Sequence, residues 1–200
     1  KTIPPEGSVT EDGVPIPKDF YYVGGKKDDG VVISDNVNDK SQGVEHEKVQ
    51  GLQGNQFVWV PVENPNTMFT EEKGIKLTGV TTTTDVYSKL RGVSGGKPGS
   101  TAKREPDLLS QYDNVQAYWS ILGSSQKDMA DKMVAEYKAM YESIKKYKGF
   151  YIGRYELSGS ITNPTSKAGK VIENQHWYYL KKACMEIIKG NDQINSTMIY

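Results

Sequence analysis

The apolar stretches of this 200-residue chain are short. The longest runs extend over only a few residues, such as 58–60, whereas crossing a bilayer takes about 20 consecutive apolar residues. Runs of this length match the strands of a small sheet, and they are separated by long polar segments. The sequence therefore predicts no membrane span and a folded chain with short strands and long loops.

Charge and cysteine content exclude several classes of function. The chain carries 25 basic and 25 acidic side chains, so its formal net charge is zero. It lacks the basic character typical of nucleic-acid-binding proteins, and we predict no nucleic-acid partner. Cys184 is the single cysteine, which excludes an internal disulfide and any multi-cysteine zinc motif. The residues alone indicate no particular cofactor and no particular oligomeric state.

Four segments have the composition of β-strands. Residues 20–23 and 31–33 are aromatic or β-branched and flank a glycine-bounded polar loop, which predicts a hairpin. Residues 57–62 form an apolar run typical of a buried strand, with Pro61 placing its end at an edge or a bulge. Residues 150–156 alternate apolar bulk with small or charged residues, as strands do.

Helical periodicity is clearest over residues 127–147. Apolar side chains recur there at steps of three and four residues, which places them on one helical face: Met129, Met133, Tyr137, Met140, Ile144 and Tyr147. Weaker patterns predict helices over residues 108–122 and 175–189, the latter ended by Gly190. The order of strands, helices, strand and helix predicts an α+β fold with antiparallel pairing.

Residues 1–19 contain four prolines among glycines and acidic residues. This composition favours an extended Pro-rich lead-in, either a linker or a docked arm, before a domain over residues 20–200. Within that domain, residues 63–106 are rich in Thr, Gly, Lys and Pro. A structureless loop of this length is unusual, so part of it, such as 76–80 or 85–90, should pair or form a short helix.

Three local patterns resemble a phosphate-binding loop, a metal site and a catalytic dyad. Each is better explained as ordinary structure. The glycine-rich residues 92–100 lack the Ser or Thr of a phosphate-binding loop, because Pro98 follows Lys97, and a flexible surface loop is predicted. Residues 45–47, Glu-His-Glu, offer metal ligands without a second nearby His or Cys, which favours an exposed polar loop. His176 and Cys184 are about 12 Å apart along a helix, too far for a catalytic dyad, and Cys184 is predicted to pack in the core.

Aromatic residues are the most informative feature for function. The chain has 13 Tyr, 3 Trp and 4 Phe, and tyrosine-rich surfaces suit the recognition of proteins or sugars. The alternative is that most of these rings fill the core of an α+β domain. If the rings form a binding surface, the candidate residues are Tyr151, Tyr155, Trp177 and Tyr178. The predicted partner is then a protein or carbohydrate ligand.

Two segments resemble a known family. GNQFVWVPV at residues 54–62 resembles the opening strand of formylglycine-generating-enzyme-like (sulfatase-modifying-factor) domains, and GFYIGRYE at 149–156 resembles their second conserved strand. Trp177, in a predicted helix after a loop, is similar to the family's next landmark. The resemblance covers residues 54–62 and 149–200, under a third of the chain. It implies a C-type-lectin-like fold with a small antiparallel sheet, two to three helices and long loops.

The chain departs from that family in two respects. Residues 63–148 form a long insertion between the two motifs, and the chain is expected to stop before the portion that carries the family's active site. Cys184 lies in a predicted helix and not at a matched catalytic position, so no catalytic residue is carried over.

Two hypotheses for function follow. The first is a non-catalytic recognition, adhesion or structural module that is extracellular, on a cell surface or part of a virion. The second is a formylglycine-generating-like oxidase, or a fragment of one. Its substrate is then a cysteine in a protein, and the resemblance implies copper and molecular oxygen for it.

Overall fold

The computed structural model describes residues 4–65, 126–175, 177–188, 190–191 and 194–198. This part of the chain contains two antiparallel sheets and two α-helices, so its fold class is α+β, as the sequence predicts. The strands are β1 (Tyr21–Gly24), β2 (Val32–Ser34), β3 (Gln56–Pro61), β4 (Gly149–Gly153), β5 (Ser158–Ser160) and β6 (Asn163–Thr165). The α-helices are α1 (Gln126–Tyr147) and α2 (Trp177–Glu186), and two 3₁₀ turns span Val37–Asp39 and His46–Lys48.

The larger sheet has the strand order β1-β2-β3-β4, and each neighbouring pair is antiparallel. The predicted hairpin of β1 and β2 is confirmed. β3 and β4 are paired over five residues, from Phe57 with Gly153 to Pro61 with Gly149. The two aromatic segments that carry the family resemblance are therefore neighbours in one sheet, although residues 62–148 separate them in sequence.

Backbone hydrogen bonds show which residues of β3 direct their N–H and C=O groups towards β4. The Trp59 N–H donates to the carbonyl of Val31, the residue just before β2, at 2.8 Å, so this N–H points away from β4. The Arg154 N–H donates to the Gln56 carbonyl at 2.9 Å and continues the β3–β4 ladder. Because ladder bonds alternate along an antiparallel strand, Trp59 and Tyr151 form a non-hydrogen-bonded pair, in which side chains lie closest together.

Both faces of this sheet are packed. Side chains alternate between faces, and one face carries a cluster made of Val14, Ile16, Phe20, Val31, Ile33 and Trp59. The opposite face carries a smaller cluster made of Val23, Val32 and Val49, against which Leu52 and Val58 pack. Burial on both faces explains why residues 31–33 and 57–60 are continuously apolar rather than alternating with polar residues.

Residues 1–19 are not a linker in their described part. Val14 and Ile16 are fully buried in the larger core cluster, and the Tyr151 hydroxyl donates a hydrogen bond to the Pro15 carbonyl at 2.9 Å. Of the two interpretations, the docked arm is therefore the one that the structure shows. The arm is not extended throughout, because it folds back on itself and pairs Val9 with Pro15 in an antiparallel bridge. The apolar residues at alternating positions 14 and 16 reach the core from the second half of this turn-back.

The chain forms two compact units. One contains Lys1–Pro61 and Gly149–Tyr200, and the other contains Val62–Lys148, the positions at which the sequence predicts an insertion. The ends of the second unit are adjacent, since the Val62 N–H donates to the Lys148 carbonyl at 2.8 Å. The helix predicted over 127–147 is confirmed as α1, with Ile144 buried. The elements predicted at 76–80, 85–90 and 108–122, and the glycine-rich residues 92–100, lie outside the described residues.

Lys148 directly follows the last residue of α1. Lys148 has a left-handed backbone with φ of 60°, and its N–H donates to the Ile144 carbonyl at 2.8 Å. Gly149 makes room for an aromatic ring, because a Cβ at this position would lie 2.2 Å from Cζ2 of Trp59. A glycine at 149 thus allows the Trp59 indole to lie directly on the backbone of β4.

The last two predicted elements are shorter in the structure. β4 ends at Gly153 rather than continuing to residue 156, and the Arg154 N–H adds one more backbone bond to β3 beyond that end. The final helix spans Trp177–Glu186, within the predicted 175–189, and Gly190 follows it with φ of 99°. Among the described residues, neither helix combines the length and the apolar character that a bilayer crossing requires.

Packing of the arm can be tested by comparing two substitutions that shorten a side chain. We expect Ile16→Ala, at a fully buried position, to lower the free energy of unfolding by about 2–5 kcal/mol. Val9→Ala, at a 59% exposed position of the same arm, should change it by less than about 0.5 kcal/mol. Urea denaturation measures both. Equal effects of the two substitutions would contradict the placement of the arm in the core.

Candidate functional site

The four aromatic residues predicted to form a binding surface have different environments. Tyr151 packs against the larger core cluster, with its ring edge-to-face on Trp59 at a centroid distance of 5.0 Å. Tyr155 is half-buried, beyond the end of β4. Trp177 and Tyr178 begin α2, and their side chains lie outside the described part of the chain. Both tyrosines are therefore half-buried, and Tyr151 is the one that packs against the larger core cluster.

Arg154 is the residue around which the neighbouring loops are organised. Its Nη1 donates to Oε1 of Gln56 at 3.0 Å, and its Nη2 donates to the carbonyls of His46 and Val49 at 3.1 and 3.0 Å. Its guanidinium carbon lies 5.7 Å from the centroid of the Tyr155 ring. One guanidinium thus links β3, the 46–49 turn and Tyr155. We call Arg154, Gln56, Tyr155 and residues 46–49 together the loop junction.

The turn at the loop junction contains the predicted metal-ligand pattern. Glu45 and Glu47 are exposed, as expected for a polar loop, but the segment is a 3₁₀ turn, and the His46 side chain is only 29% exposed. Nδ1 of His46 is buried without a hydrogen-bond partner among the described residues and lies 3.6 Å from Oε1 of Glu47. Within the described ranges, no three His, Cys, Asp or Glu side chains come together to hold a metal ion.

An exposed ion pair closes the same turn. The Lys48 ammonium lies 2.6 Å from the Glu45 carboxylate, three residues earlier. The hydrogen bond with Lys48 lowers the pKa of Glu45, and the same bond raises the pKa of Lys48. Because both groups are solvated, this pair contributes little to stability and leaves Arg154 as the main anchor of the turn.

Gln56 connects the loop junction to the end of the two-stranded sheet formed by β5 and β6. Its side chain accepts the bond from Arg154, while its backbone N–H donates to the Ser166 carbonyl at 2.9 Å. The Ser166 hydroxyl donates back to the Gln56 carbonyl at 2.8 Å, and the Ser166 N–H donates to Oδ1 of Asn55 at 2.8 Å. The residues after β6 are thereby fixed to the beginning of β3.

A buried carboxylate orders the loop before β3. Asp39 is only 6% exposed and accepts hydrogen bonds from the Ser34 hydroxyl at 2.5 Å and from the N–H groups of Gln53 and Gly54 at 2.9 and 2.8 Å. Three donors satisfy the charge of this carboxylate, as burial requires. Asp39 therefore holds the loop in place, and the sequence offers no spacing signal that distinguishes it from the other acidic residues.

Cys184 lies in the last turn of α2 and is partly buried, so the prediction of core packing holds only in part. Burial raises the pKa of its thiol, although nearby Lys181 acts in the opposite direction. A raised pKa keeps the thiol protonated at neutral pH, and a protonated thiol is a poor nucleophile. The side chain of His176 lies outside the described residues, so its distance from Cys184 stays a prediction.

Lys181 is the other unusual residue of α2, because its side chain is only 2% exposed. Its ammonium donates a hydrogen bond to Oγ1 of Thr197 at 2.9 Å, and the Ser196 hydroxyl bonds to the Cys184 carbonyl. These contacts hold residues 196–197 along the helix. The Lys181 side chain and the backbone carbonyl of Cys184 are therefore the groups of α2 that bond to these residues.

Comparisons with known proteins give no relative for this chain. No family model matches it, and neither the curated proteins nor the solved structures include a match. The candidate site is accordingly defined by its own geometry, namely a half-buried tyrosine and a polar turn that one arginine holds together.

Replacement of Arg154 tests whether it anchors the turn. Arg154→Ala leaves the carbonyls of His46 and Val49 without this donor, and we expect a loss of about 1–3 kcal/mol in the free energy of unfolding. Hydrogen exchange should also become faster at the Lys48 and Val49 amides, which bond within the turn. Lys48→Ala is the matched control, because it removes only the exposed pair. Unchanged exchange in Arg154→Ala would contradict the anchoring role.

The Tyr151 hydroxyl gives a prediction for alkaline pH. Burial raises the pKa of Tyr151 well above its ordinary value of 10.0. The unfolded chain therefore releases this proton at lower pH than the folded chain, so its contribution to stability is complete below about pH 10 and declines above it.

We expect Tyr151→Phe to make the loss of stability above about pH 10 less steep than in the unsubstituted chain. At neutral pH the same substitution should cost about 0.5–1.5 kcal/mol, since the hydrogen bond to the Pro15 carbonyl is lost. Tyr147→Phe, at a 41% exposed position, is the control. Denaturation at a series of pH values measures the slopes. Identical slopes for both variants and the unsubstituted chain would overturn the assignment.

Proposed function

We propose that this chain is a non-catalytic recognition module of C-type-lectin-like fold. It acts outside the cell, on a cell surface or on a virion, and its ligand is a protein or a carbohydrate. The proposal rests on the resemblance of residues 54–62 and 149–156 to formylglycine-generating-enzyme-like domains. The pairing of these two segments as β3 and β4 in a small antiparallel sheet supports it.

The observation that carries the binding role is the loop junction. Recognition surfaces need side chains that are held in place before the ligand arrives, because ordering them on binding costs affinity. Arg154 orders the 46–49 turn through two carbonyls and lies beside the Tyr155 ring. Tyr155 supplies an aromatic surface, and Glu45, Glu47 and Lys48 supply exposed polar groups on the turn that Arg154 holds.

Carbohydrates and polar protein surfaces are both suitable ligands for a tyrosine combined with exposed polar groups. A half-buried tyrosine presents an apolar ring face together with a hydroxyl, and sugars and peptides combine apolar and hydroxyl or amide groups in the same way. The exposed groups of the turn include both signs of charge, which matches the zero net charge of the chain. A strongly charged ligand is therefore not favoured.

The alternative proposal is a formylglycine-generating-like oxidase, or a fragment of one, that acts on a cysteine in a protein substrate. The same two strand motifs favour it. The family's oxidases use a cysteine pair, however, and Cys184 is the single cysteine of these 200 residues. Residues 1–200 alone therefore do not supply the thiols that this reaction needs.

A binding experiment with a matched control tests the recognition role. We expect the purified chain to bind members of a glycan array or of a peptide array, and Tyr155→Ala to weaken that binding at least about tenfold. Tyr147→Ala removes a 41% exposed tyrosine of α1 and should bind as the unsubstituted chain does. Thermal unfolding of each variant shows whether the fold is retained.

Two outcomes would contradict the proposal. Equal binding by Tyr155→Ala and the unsubstituted chain would remove the loop junction from the binding surface. Conversion of a cysteine-containing sulfatase peptide to the aldehyde, detected by mass spectrometry after incubation with copper and oxygen, would establish the oxidase instead.

A further inference from the structure

We draw no further inference here: the strongest candidate, the side-chain cluster of His46 and Glu47 on the turn beside Arg154, belongs to the loop junction already described and brings together, among the residues that the structure describes, only one imidazole and one carboxylate.

Discussion

The pairing of β3 with β4 is the interaction on which the sheet-containing unit depends. It joins two segments that residues 62–148 separate, and it sets Trp59 against Tyr151 and Gly149. Closing such a long excursion is less costly than its length suggests, because each doubling of a loop adds only about 0.6 kcal/mol. The hydrogen bond between Val62 and Lys148 holds the two ends of the excursion together and offsets part of that cost.

Packing around this pair extends to both ends of the unit. Tyr151 is held by Trp59 on one side and by the arm on the other, through its bond to the Pro15 carbonyl. Ile188 and Ile194, from the region after α2, pack against the same cluster. A proline-rich segment without a core of its own thus becomes ordered because the sheet provides the apolar surface that it covers.

Two charged side chains, one buried and one half-buried, determine where two of the loops lie. Asp39 fixes the loop that precedes β3, and Arg154 fixes the 46–49 turn beside the end of β4. Both are charged side chains whose partners are mainly backbone groups of the loops. Each therefore orders a loop whatever side chains that loop carries. This arrangement leaves the exposed side chains of the turn free to differ without loss of the fold.

Much of the fold could be predicted from local pattern. The hairpin of β1 and β2, the strand at 57–62 and α1 each have a clear periodicity or turn signal, and each is present. The role of the arm could not be decided, because Val14 and Ile16 are isolated among prolines and acidic residues and their burial depends on distant strands.

The candidate site was less predictable for the same reason. Tyr151 and Tyr155 have equal aromatic character in sequence, whereas in the structure Tyr151 lies within β4 and packs against the core cluster and Tyr155 lies beyond the end of the strand. Arg154 is visible as part of the strand motif, but its hydrogen bonds to the 46–49 turn join residues more than 100 positions apart. Long-range contacts of this kind leave no signal in a single sequence.

The register of β3 and β4 is tested most directly by NMR. Trp59 and Tyr151 form a non-hydrogen-bonded antiparallel pair, in which the Cα atoms are about 4.5 Å apart and the Hα atoms face each other. We predict a strong nuclear Overhauser effect between the Hα of Trp59 and the Hα of Tyr151. Its absence, or a strong effect from Trp59 to the Hα of Phe150 or Ile152 instead, would contradict the sheet and the function inferred from it.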